Sequence, residues 1–129
     1  MRGSHYQRVL ICGLILASVL GCALKRRSSL EPQVIRYHQS YKWKDYTQAS
    51  HYVADPEEFL KKRELLGDKL EIIDFDIVRT TFNRNGWEAE VEVMRTYHIL
   101  PSVVVARQRI VQLWKYDPKK KNWLLISPY

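Results

Sequence analysis

The repeat of the chain changes at Gly67, and that change constrains the fold more than any other feature. Beyond it, Trp87, Ala89, Val91 and Val93 alternate with Glu88, Glu90 and Glu92. Twofold alternation sends the first set to one face of a strand and the second to the other. One face is therefore packed, and the opposite face is wet and acidic. Asn83-Arg84-Asn85-Gly86 precedes this strand, and Asn85-Gly86 is the favoured pair for a tight hairpin. Leu70 to Phe82, rich in β-branched and aromatic residues, is the partner strand. Pro101 separates the Trp87 strand from the next, Val103 to Tyr116. Asp117 to Asn122 is a polar turn, and Trp123 to Ile126 is the last strand.

Upstream of Gly67 the spacing is helical. Pro32 suits a helix start, because its missing N–H costs nothing in the first turn. From Gln33 to about Val53 the stripe Val34, Tyr37, Tyr41, Ala49, Tyr52 and Val53 recurs at helical intervals, with Trp43 and Tyr46 at its edge. Asp55-Pro56-Glu57-Glu58 opens a second helix, with Asp55 as cap, Pro56 first and Glu58 at the capping-box position. Gly67 supplies its left-handed end. The pattern reads as two helices, or one long helix broken near Ala54-Asp55. Helices followed by a meander of antiparallel strands predict an α+β fold. Trp87, Trp114 and Trp123 are expected in the core.

The N-terminus reads as an export segment. Arg2 and Arg8 precede an apolar run from Val9 to Leu20. Extended to Leu24, the run is about 16 residues, short of the ~20 a spanning helix needs. It fits a signal peptide better, with an uncleaved anchor as the alternative. Val19-Leu20-Gly21-Cys22 resembles the lipobox of bacterial lipoproteins. That resemblance implies cleavage before Cys22, palmitate-type acylation of its thiol and a membrane-held product in the cell envelope. Residues 1–21 are then signal, 22–31 a lipidated tether and 32–129 one domain. Ala23 after the cysteine implies, by the same resemblance, the outer membrane facing the periplasm, or the cell surface. Lys25-Arg26-Arg27 lies against headgroups or is a solvated linker. Lys119-Lys120-Lys121 is a solvated turn, or touches headgroups or an acidic partner.

Composition narrows the function. Loss of Arg2 and Arg8 takes the formal charge from +7 to +5. The basic residues are interspersed rather than gathered on one helix, which argues against nucleic acid. Cys12 falls in the signal and Cys22 would be acylated, so no disulfide or cysteine metal site remains. His38, His51 and His98 lack metal-ligand spacing. No phosphate loop or nucleophile elbow is present, so neither a metal nor a cofactor is expected.

Gln112-Leu113-Trp114-Lys115-Tyr116-Asp117, then a turn, then Asn122-Trp123-Leu124-Leu125, is similar to the closing hairpin of the nuclear-transport-factor-two-like (cystatin-cone) superfamily. The resemblance runs by element order over residues 33–127. It implies N-terminal helices packed on a strongly curved, cone-like antiparallel sheet of about four strands. Cone-forming members usually add a third helix. Superfamily enzymes place an Asp, His or Tyr inside the cone. Asp74, Asp76, Tyr97 and His98 are the candidates here, with Arg107 and Arg109 on a neighbouring strand. Asp74 and Asp76, two apart, share a face. They serve acid/base chemistry if one is desolvated, or pair with Arg95, Arg107 or Arg109. Tyr37, Tyr41 and Trp43 are candidates for a partner surface or an apolar-ligand pocket. The expected function is a non-catalytic, lipid-anchored domain that binds an envelope protein or a small apolar ligand. The alternative is an isomerase- or dehydratase-type envelope enzyme.

Overall fold

The computed structural model describes residues 20–129. Of the expected signal segment, 1–21, the residues through Val19 lie outside the described residues, and Leu20 and Gly21 are helical. Helix α1 covers residues 20–28. Helices α2 (Leu30–Lys42), α3 (Tyr46–Ser50) and α4 (Pro56–Leu66) follow, then strands β1 (Leu70–Phe82), β2 (Glu88–Ile99), β3 (Ala106–Asp117) and β4 (Asn122–Ser127). The four strands form one antiparallel sheet in chain order. The protein is α+β, with helices before a sheet that does not close into a barrel.

The predicted helical stripe is real but is cut. Val34, Tyr37 and Tyr41 are buried, as are Ala49 and Val53. The chain leaves α2 at Trp43, turns through Lys44 at φ 59° and restarts at Asp45. Asp45 Oδ1 accepts the Gln48 N–H at 3.1 Å, a side-chain cap for α3. The break therefore falls at Lys44 as well as near Ala54-Asp55, and three short helices replace the expected one or two. Asp55 caps α4 through the Glu58 N–H at 3.0 Å, and Gly67 ends it at φ 68°. The span 22–31 is helical through residue 28, and Leu30 is fully buried. Core packing thus begins upstream of Pro32, within the expected tether.

Register breaks at Ile72/Asp74, Ile77/Arg79 and Leu113/Trp114 mark bulges, and bulges bend a strand and raise its twist. The helices pack on one face of this bent sheet. Tyr37, Phe59, Val91, Val93, Trp114, Trp123 and Leu125 form the shared core. Trp114 and Trp123 are fully buried as expected, whereas Trp87 is 39 % exposed. Trp87 lies at the end of the sheet, where the Arg26 guanidinium, not a core side chain, covers it at 4.0 Å. Val103–Val105 are outside the strands, because β3 begins only at Ala106. At the other edge, the Ala54 N–H donates to Leu125 O and the Leu125 N–H to Tyr52 O, both at 2.8 Å. The segment Tyr52–Ala54 thus occupies the outer side of β4.

The β1–β2 connection is wider than a two-residue turn. The Asn83 N–H donates to Glu88 O, and the Gly86 N–H to Asn83 O. Gly86 is at φ 70°, and a Cβ there would lie 3.1 Å from Arg27 Nε and 3.4 Å from Arg26 Nη2. Both the left-handed backbone and the close approach of α1 require glycine. Gly86→Ala should cost ~1–2 kcal/mol from the left-handed backbone alone, read as a lower thermal midpoint; an unchanged midpoint would contradict that turn conformation.

Candidate functional site

Three regions carry unusual side chains: the sheet face expected to form a pocket, the polar interior, and the two ends of the sheet. The expected pocket does not assemble. Asp74 and Asp76 are exposed, and Asp74 Oδ1 accepts its neighbour Phe75 N–H at 2.9 Å. Tyr97 and His98 are half-buried opposite Ile72 and Glu71 near one end of the sheet. Arg107 and Arg109 are exposed. Arg109 pairs with Glu92 rather than with either aspartate, and Arg79 bonds the same carboxylate at 2.9 Å. These two arginines cover Glu92, so it is 7 % exposed on the face expected to be wet. The Arg79 hydrogen bond holds its carboxyl below the usual range.

The interior is polar in a way the pocket residues did not indicate. His38 is 2 % exposed and stacks on Phe75 with centroids 5.1 Å apart. Its Nε2 lies 3.0 Å from Gln112 Oε1, and the Gln112 amide donates to Pro128 O at 3.1 Å. Gln112 Oε1 must therefore accept, which assigns the proton to His38 Nε2 and leaves Nδ1 to accept from Arg95 Nη2 at 3.5 Å. Burial first, and the Arg95 charge second, push the imidazole down to about 3. His38 is neutral at physiological pH and cannot serve there as an acid.

Arg95 and Arg63 are 4 % and 5 % exposed, and among the described residues neither bonds an aspartate or glutamate; Arg95 Nη1 donates to the main-chain O of Tyr129 at 3.5 Å. Aromatic rings take the place of counter-ions. Arg95 lies 4.6 Å from the Tyr41 ring centroid. Arg63 lies 4.8 Å from Tyr41 and 4.3 Å from Tyr46, and donates to both hydroxyls at 2.6 and 2.8 Å. A desolvated cation–π contact is worth ~2 kcal/mol, which offsets part of the cost of burying a guanidinium. Each arginine leaves Nε unpartnered, as do the Tyr37 hydroxyl and the Trp114 indole N–H. Burial raises the Tyr37 hydroxyl well above its ordinary range. Tyr37 and Tyr41 are thus buried and not an exposed docking face, although Tyr41 lines a cleft; of that trio only Trp43, 77 % exposed, is open.

A cleft of about 360 Å³ opens beside this interior, lined by Arg63, Tyr41, Leu66 and Tyr129 with Glu58 and Lys62 at its rim. The Arg63 Nη atoms are already committed to tyrosines, so the inner wall offers aromatic and aliphatic surface. Among the described residues, no three of His, Cys, Asp and Glu come together as metal ligands. Nor is any described helix long and apolar enough to cross a membrane.

The ends of the sheet differ in chemistry. Cys22 is exposed on α1. Arg26, one turn along, donates to Gly86 O at 3.1 Å and Asn85 O at 3.3 Å, fixing α1 to the β1–β2 turn. The opposite end holds Ile99, Leu100 and Val103–Val105, all exposed. Trp43 lies toward the same end, since its neighbour Lys44 pairs with Glu71, which faces His98. β1 spans the two ends with 13 residues, roughly 40 Å. Comparison with known protein families, curated proteins and solved structures finds no match to this chain.

Proposed function

We propose that the protein is a non-catalytic, lipid-anchored domain of the bacterial cell envelope that holds a partner protein away from the membrane. The observation that carries this reading is Val19-Leu20-Gly21-Cys22 followed by an exposed Cys22 at one end of the sheet. Acylation there places the basic end of the domain at the bilayer. The exposed apolar residues of the β2–β3 loop then face outward, roughly 40 Å from the anchor. Exposed apolar residues gathered at one site suit a protein partner better than water. Ala23 favours the outer membrane facing the periplasm. The cystatin-cone likeness rests on the sequence of the closing hairpin and adds no chemistry.

The test is made in cells producing the full chain. Mass spectrometry is expected to find the N-terminus at Cys22 with acyl mass, and Cys22→Ser to lose that mass. Crosslinking before detergent should capture a partner through the native loop, and Val103→Ser with Val104→Ser should lose it while keeping the acyl mass. An intact Met1 or an unmodified Cys22 thiol in the native product would overturn the anchor. Capture unchanged by the loop substitutions would overturn the outward-facing surface.

A further inference from the structure

We infer that the end of the sheet around Cys22 is itself a docking surface for anionic lipid headgroups, fixing the domain's orientation on the bilayer. The inference rests on the anchor reading for its placement at a membrane. Its chemistry comes from side chains far apart in sequence. A cleft of about 510 Å³ is lined by Cys22, Lys25, Arg26, Trp87, Tyr116 and Lys121. The β3–β4 turn therefore meets α1 beside the anchor cysteine.

The lysines of that turn are held in place. Asp117 Oδ1 accepts the Lys119 N–H at 2.9 Å and the Lys120 N–H at 3.3 Å, and Lys121 turns the chain back at φ 53°. Lys119, Lys120 and Lys121 are all exposed, as are Lys25, Arg27 and Arg84. The acidic groups at this end include Glu88 and Asp117, with exposed Glu31 on the first turn of α2. Glu88 is engaged by Lys115 at 3.3 Å, and Asp117 by the turn it caps. The exposed balance is strongly positive. Trp87 and Tyr116 add half-exposed rings 5.5 Å apart, the residue types that settle at headgroup level. Arg26 serves another role. It is spent on Gly86 O, Asn85 O and the Trp87 face, which ties α1 to the turn. A basic residue close to an anionic membrane surface strengthens binding roughly fivefold, and the effect fades within a Debye length. The lysines therefore have to lie near the anchor, and the fold puts them there.

The test uses the full protein as cells produce it, mixed with phosphatidylcholine vesicles, with or without phosphatidylglycerol. Hydroxyl-radical footprinting supplies a small, neutral probe. Oxidation of Trp87 and Tyr116 is expected to fall several-fold on the anionic vesicles and to recover at high salt, while Trp43 is unchanged. Replacing Lys119, Lys120 and Lys121 with Gln should abolish that protection. Removing as many charges elsewhere, through Arg36→Gln, Lys61→Gln and Arg107→Gln, should leave it intact. Equal oxidation on both vesicle types, or equal loss with the control set, would overturn the inference. The mass of the same sample reports acylation separately, so the anchor can fail while the surface stands, and the reverse.

Discussion

Replacing Trp123 with Ala is expected to lower the free energy of unfolding by ~3–5 kcal/mol, a large share of the ~5–15 kcal/mol that holds a domain of this size. Trp123 is fully buried and meets Phe82 and Tyr116 edge-on, at centroid distances of 5.9 and 5.5 Å. Its indole N–H donates to Arg26 O at 2.8 Å. The substitution therefore opens a cavity and also releases α1. Trp123→Phe separates the two effects: most of the packing stays and one hydrogen bond is lost, for ~1–2 kcal/mol. Trp43→Ala is the contrast, since a ring 77 % exposed should change stability by no more than ~0.5 kcal/mol. Urea denaturation of the three variants gives the ranking. Similar values for Trp43→Ala and Trp123→Ala would contradict the packing described.

The second large effect is acid lability through His38. Unfolded, its imidazole titrates at the ordinary 6.5; folded, burial and Arg95 hold it to about 3. Below pH 6.5 the unfolded chain takes up a proton that the folded chain refuses. Stability therefore falls as the medium is acidified, by ~1.4 kcal/mol per pH unit once well below 6.5, and it levels off only near pH 3. Above 6.5 this group contributes no slope. Glu58, held down by Lys62 and Tyr129, and Glu92, held down by Arg79, also lose stabilisation on acidification. Their ordinary value is 4.5, so the window from pH 6.5 to 5 belongs to His38. His38→Gln should be less stable at neutral pH and flatter through that window, seen in unfolding free energies at several pH values. Parallel curves for the two proteins would place the acid sensitivity elsewhere.

Strands were legible in the sequence because their cues are local. Leu70 and Phe82 bound β1 as the pattern indicates, and Asp55, Pro56 and Gly67 punctuate α4 as expected. The break at Lys44 was missed because the stripe resumes in phase beyond it. Asp45 three residues before Gln48 was the available sign of a new helix. The polar interior was missed for a different reason. Twofold alternation carried past Val93 makes Arg95 an inward residue, and carried back from Trp114 it makes Gln112 one too. His38 sits beside Tyr37 on the buried stripe. Each is a polar residue at an apolar position, and only the fold shows that the three meet. Spacing leaves Asp74 and Asp76 between acid/base chemistry and pairing with Arg95, Arg107 or Arg109, because it gives a shared face but not which face is covered; both are exposed.

The segment Tyr52–Ala54 along β4 has a consequence for crowded conditions. The Leu125 N–H and C=O on that margin are already engaged, which leaves an incoming chain less of a template there. Among the described residues, the part of β3 before Leu113, which β4 does not reach, stays open to such growth, as does β1. The two bulges of β1 interrupt a straight run of donors and acceptors, and Asp74, Asp76 and Arg79 set charges along it. Packing at high density should therefore meet resistance to edge-to-edge growth along the β1 margin.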